Sequence, residues 1–76
     1  MLKVEVIITN ATDSHARLQL YLNGGLVSGP QGITLRVSDL LPFLYRLDPE
    51  RIQVYPENIT DRVRSRLKGC RNVFFL

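Results

Sequence analysis

The sequence predicts a small α/β (α+β) domain. It reads as a two-layer sandwich, a mixed sheet of four to six short strands with two helices on one face, in the order β-β-(β)-β-α-β-α-β. Three observations carry this. Apolar and polar residues alternate with a period of two through the first half of the chain. From Leu40 the apolar residues recur at helical spacing instead. Glycine and proline gather at the joints between these stretches.

Residues 2–9 form the first strand, with Leu2, Val4, Val6 and Ile8 on one face and Lys3, Glu5, Ile7 and Thr9 on the other. "NATDSHA" (10–16) is expected to be a polar connector. Residues 17–22 alternate again, Leu18, Leu20 and Leu22 inward, Arg17, Gln19 and Tyr21 outward. Asn23-Gly24 then signals a type I′ hairpin turn, which requires φ > 0 at both central positions. Strand pattern resumes briefly at Leu26 and Val27. Gly29-Pro30-Gln31-Gly32 fits a second turn, with Pro30 pre-setting φ at its first central position, and residues 33–37 alternate once more.

The stretch "NGGLVSGPQG" (23–32) could instead be a phosphate-cradling loop. A P-loop would continue into Lys-Ser or Lys-Thr and a helix, whereas Gly32 is followed by Ile33-Thr34 and a strand. The spacing also fails G-x-G-x-x-G, and the lone G-x-x-G lacks the basic residues and flanking helices of a KH-type clamp. Strand-like sequence lies on both sides, so the glycines serve turns.

In the second half, Asp39 is expected to cap a helix ending near Leu47, because that start leaves Pro42 within the first turn, where no amide partner is lost. Ile52–Tyr55 reads as a short strand closed by Pro56. Asn58 is expected to cap the second helix, with Asp61 in its first turn and Gly69 as its stop. The final "NVFFL" (72–76) reads as an inner strand because its apolar run is continuous.

Seventy-six residues form one domain, 1–76, with a thin core. No apolar stretch reaches the roughly 18 residues of a membrane span. The opening "MLKVEVIITN" carries Glu5 inside its apolar run and no small-residue cleavage site, so it reads as a strand and not as a signal peptide. Cys70 is the only cysteine, which excludes an internal disulfide and points to a cytoplasmic location. Asn10-Ala11-Thr12 and Asn58-Ile59-Thr60 match the glycosylation pattern, which has no meaning in that compartment.

No residue pattern points to catalysis. "TDSHAR" sets Asp13, Ser14 and His15 side by side, yet adjacent side chains diverge where a triad must converge. A single histidine excludes a multi-imidazole metal site, and Asp39, Asp48, Glu50, Glu57 and Asp61 fall at caps and turns. Cys70 follows a helix C-terminus, where a thiolate is disfavoured, and reads as half-buried and structural. No cofactor is expected.

Binding remains, and two surfaces offer it. Helix 59–71 holds Arg62, Arg64, Arg66, Lys68 and Arg71, half of the chain's ten basic residues, as an electrostatic footprint for nucleic acid. On a helical wheel, however, Arg62 and Arg66 flank one side of the Ile59, Val63, Leu67 stripe while Arg64 and Lys68 flank the other. The first helix is apolar over an arc of about 200°, wider than the roughly 100° stripe a sheet covers. Its excess, Phe43 or Tyr45, is expected to meet a partner unless helix two or residues 10–16 cover it. The sequence therefore predicts a protein–protein binding domain, self-association included, with nucleic-acid binding by the basic helix as the alternative.

Overall fold

The computed structural model describes residues 2–76. Its sheet is laid out around β1 (Val4–Ala11). β2 (His15–Leu22) runs antiparallel to β1, setting Val6 opposite Leu20 and Ile8 opposite Leu18. The far edge of β2 is shared by β3 (Gly25–Leu26) and β4 (Ile33–Arg36), both antiparallel to it. α1 (Val37–Leu47) crosses to β5 (Arg51–Val54), which pairs parallel with β1. A 3-10 turn (Pro56–Asn58) and α2 (Asp61–Leu67) lead to β6 (Val73–Phe75), parallel to β5. The order is β3-β2-β1-β5-β6, with β4 also on β2. This is the expected small α+β sandwich with a mixed sheet.

Strand alternation sends Val6, Ile8, Leu18, Ile52 and Val54 to one side, where they join Leu40 and Leu44 of α1 and Val63 and Leu67 of α2 in a single core. Both helices therefore lie on that face. The opposite face of the sheet is covered by neither.

The glycine-rich stretch folds as two turns. Asn23 and Gly24 have φ of 50° and 84°, the doubly positive pair of a type I′ hairpin. The second turn closes through Gly32 N–H to the Gly29 carbonyl at 3.1 Å.

Beyond shifts of one or two residues at strand ends, four features differ from the sequence expectation. Residues 10–16 are not a loose connector: Ala11 pairs with Ala16, and only Thr12–Ser14 turn the chain. Both alanines are buried, and the Thr12 hydroxyl accepts from the amides of Ser14 and His15, so a three-residue reversal suffices. α1 starts at Val37 and not after Asp39, and its N-cap residue Arg36 makes no side-chain cap bond. Val37 is buried and its amide donates to the Ser14 carbonyl at 2.9 Å, so tertiary contacts replace the cap. Pro42 then falls in the sixth helical position; it is exposed, and the Ser38 carbonyl it leaves unpaired can bind water.

α2 is capped by Thr60 and not by Asn58: the Thr60 hydroxyl accepts from Val63 N–H at 3.4 Å. Asn58 closes the 3-10 turn on the Tyr55 carbonyl, while Ile59 stays extended to bridge Ala11 and bury its side chain. Finally, β6 is an edge strand and not an inner one. Its continuous apolar run has two separate causes. Val73 and Phe75 face the helices, and Phe74 turns the other way beneath Arg51.

Candidate binding surfaces

The Asp13, Ser14, His15 cluster makes a turn. Ser14 Oγ does reach His15 Nδ1 at 3.0 Å and Thr12 Oγ1 at 3.1 Å, but no hydrogen bond joins Asp13 to them and all four residues are exposed. A nucleophile needs an oriented base and a shielded site, and neither is provided. Among the described residues, no group of three His, Cys, Asp or Glu side chains could hold a metal ion.

The two aromatic candidates on α1 separate cleanly. Phe43 is half-buried and packs against the core, whereas Tyr45 is 84% exposed. Neither residues 10–16, which are spent in the hairpin, nor α2 covers the Tyr45 ring. Beside it lies an open concavity of about 290 Å³ where the C-terminal ends of both helices converge, lined by the apolar Leu44, Pro49 and Ile52 together with Tyr45 and Cys70, and by the polar Asp48, Arg71 and Asn72. Asp48, in left-handed conformation at φ 48°, ends α1 and turns the chain into this hollow. No helix among the described residues is long and apolar enough to cross a membrane.

Cys70 is partly buried in the wall of the concavity, and burial pushes its thiol above the ordinary value. The reactive thiolate is thus scarcer than in free cysteine at neutral pH. Alkylation by iodoacetamide should run several-fold slower than that of free cysteine at pH 7. It should keep accelerating as pH rises beyond the usual thiol range. A rate at pH 7 matching or exceeding that of free cysteine would contradict this environment.

The basic segment does not form one patch. Arg62, Arg66, Lys68 and Arg71 are exposed. Arg64 is drawn inward: its Nη2 donates to the Pro56 carbonyl at 2.8 Å, and its Nε is buried without a partner. Its guanidinium ties α2 to the 3-10 turn and is not presented to solvent ligands. Of the two i,i+4 pairs, only Arg62 with Arg66 has both heads free.

A third surface, the uncovered sheet face, was not singled out by the sequence reading. Alternation and register set Leu26, Tyr21, Glu5 and Arg51 in one row across four strands, and Gln19, Ile7, Gln53 and Phe74 in the next. Arg17, Arg36 and Tyr55 extend the same face. Arg51 lies over the Phe74 ring, 5.6 Å from its centroid. Between Tyr21 and Arg51 is a shallow hollow of about 270 Å³ bordered by Glu5, Ile7, Gly24 and Gln53. The outward positions are visible strand by strand, but only the strand order brings them together. The chain matches no protein-family model, no curated protein and no solved structure.

Proposed function

We propose that this chain is a non-catalytic binding domain acting through protein–protein contact, including contact with a second copy of itself. One observation carries the reading: Tyr45 stands 84% exposed at the edge of a concavity with an apolar floor of Leu44, Pro49 and Ile52 and a polar border of Asp48, Arg71 and Asn72. An amphipathic ring beside a hollow with an apolar floor and a polar border is the arrangement enriched at interface hot spots. A core this thin leaves self-association as a ready way to cover such a surface. A cytoplasmic location fits the reading, since a lone cysteine leaves the fold without disulfide staples.

The test is sedimentation at rising protein concentration. The wild-type chain is expected to associate, and Tyr45→Ala to weaken association about thirtyfold, as loss of a hot-spot side chain does. Because the ring is exposed, unfolding stability should move by no more than about 0.5 kcal/mol. A strict monomer up to the solubility limit would remove self-association. The alternative, nucleic-acid binding by segment 59–71, rests on Arg62, Arg66, Lys68 and Arg71, with Arg64 held by Pro56.

A further inference from the structure

Charge is divided unevenly between the two sides of this molecule. The chain has ten basic and seven acidic side chains, a net charge of +3. By strand alternation the uncovered sheet face takes Lys3, Arg17, Arg36 and Arg51 against one carboxylate, Glu5. The remaining six cations are matched in number by six carboxylates. The face therefore carries an excess of three cations, equal in size to the net charge of the whole chain. Lys3 is paired with Glu5 at 3.9 Å, and no ion pair engages Arg17, Arg36 or Arg51 among the described residues.

The same face carries the aromatic residues Tyr21, Tyr55 and Phe74; Tyr21 is half-buried, its hydroxyl donating to Gln19 Oε1 at 3.2 Å, and the other two are 39% and 52% exposed. Tyr21 and Phe74 sit on strands three places apart, about 14 Å at the usual strand spacing. Cations that hold a backbone, interleaved with rings on which bases can stack, are the two requirements for single-strand binding. Four-stranded sheets that read single-stranded RNA do so with two or three surface aromatics. The basic helix lacks the second requirement; the sheet face has both.

We infer that the uncovered sheet face binds single-stranded nucleic acid. Tyr21 and Phe74 stack bases, the base on Phe74 displacing the Arg51 guanidinium that lies over that ring and freeing it for phosphate, with Tyr55 extending the track. Arg17, Arg36 and Arg51 contact phosphates. The hollow between Tyr21 and Arg51 offers one base a carboxylate acceptor from Glu5 and an amide from Gln53, either of which can meet an exposed base edge. A duplex keeps its base faces stacked internally and cannot use the rings. A second copy of this chain is disfavoured there, because it would bring two cationic faces together. The inference does not depend on the Tyr45 contact, which lies on the helical side.

Fluorescence anisotropy with labelled mixed-sequence oligonucleotides tests it, using single-stranded RNA, single-stranded DNA and duplex DNA. Both single strands should bind at least tenfold tighter than duplex. Three phosphate contacts predict a slope of log K against log salt of about −2 on single strands. Phe74→Ala and Tyr21→Ala should each weaken binding about fivefold to 150-fold, the range for loss of one stacked base. Arg17→Gln with Arg51→Gln should flatten the slope by about 1.4. Arg62→Gln with Arg66→Gln, and separately Tyr45→Ala, should change neither. Phe74 is half-exposed, so its variant remains informative should Tyr21→Ala disturb the fold. Four results overturn the inference: no binding at low salt; duplex or poly-glutamate bound as tightly as single strands; loss confined to the Arg62 and Arg66 variant; or aromatic variants that bind as well as wild type.

Discussion

Gly32→Ala is expected to destabilise the fold by about 3 kcal/mol, out of the roughly 4 to 11 kcal/mol typical of a chain this long. Two effects combine. Gly32 has φ +77°, which costs an alanine about 1–2 kcal/mol by itself. The new Cβ would also lie 2.4 Å from the Leu18 carbonyl oxygen and 3.2 Å from its carbon. That carbonyl cannot simply retreat, because Leu18 is paired with Ile8 on one side and Ile33 on the other. Gly24→Ala provides the contrast. Its φ is +84° but nothing lies within 4 Å of the added carbon, so only the conformational cost of about 1 kcal/mol applies. Urea titration of both variants decides the matter. Equal losses would mean that the 29–32 turn does not press on β2 as described.

Leu18→Ala should cost about 2–5 kcal/mol, the range for a leucine truncated in a packed core. Leu18 is fully buried on β2, and thirteen buried apolar residues make up the core of the described chain. So few have no slack to refill a cavity beneath two helices. The denaturation midpoint should fall steeply while the urea dependence stays the same, since the surface exposed on unfolding barely changes. A loss below about 1 kcal/mol would place Leu18 outside the core, and with it the register of β1 on β2.

Local chemistry made much of this fold legible. Asn23-Gly24 specified its turn because few residue pairs accept two positive φ values, and alternation at Val4–Ile8 and Arg17–Leu22 set the buried face because strand side chains have a period of two. The misread boundaries share a cause: long-range contacts outweighed short-range preference. Val37 begins a helix because the Ser14 carbonyl takes its amide. Asn58 loses its cap role because Ile59 is pulled extended onto Ala11. β6 resembled an inner strand because its two faces are each apolar for a different neighbour.

The binding surfaces divide the same way. The aromatic excess on α1 is legible as Phe43 or Tyr45 because the apolar arc is wider than a sheet can cover, and packing of Phe43 on the core leaves Tyr45 as the exposed one. The cationic sheet face is not legible, since Arg17, Arg36, Arg51 and Phe74 are scattered over the sequence and meet only through strand order. The densest basic run, 62–71, by contrast loses one of its five cations from the surface, because Arg64 is turned inward to Pro56. Density along a chain is a poor guide to density on a surface.

The split edge of β2 has a consequence for how this protein behaves when crowded. β3 and β4 together supply two and four residues of strand, interrupted by Val27–Gly32. In that gap the Leu20 amide is taken by the Ser28 hydroxyl, where a partner strand would offer a carbonyl. Its outer margin therefore presents no long, evenly spaced row of amides and carbonyls on which an incoming chain could zip. At the opposite margin β6 is only three residues long. Cross-β fibrils grow by just such templating, one strand upon the next. With both margins too short or too broken to seed it, the native fold is a poor nucleus for amyloid, and fibril formation should have to wait for unfolding.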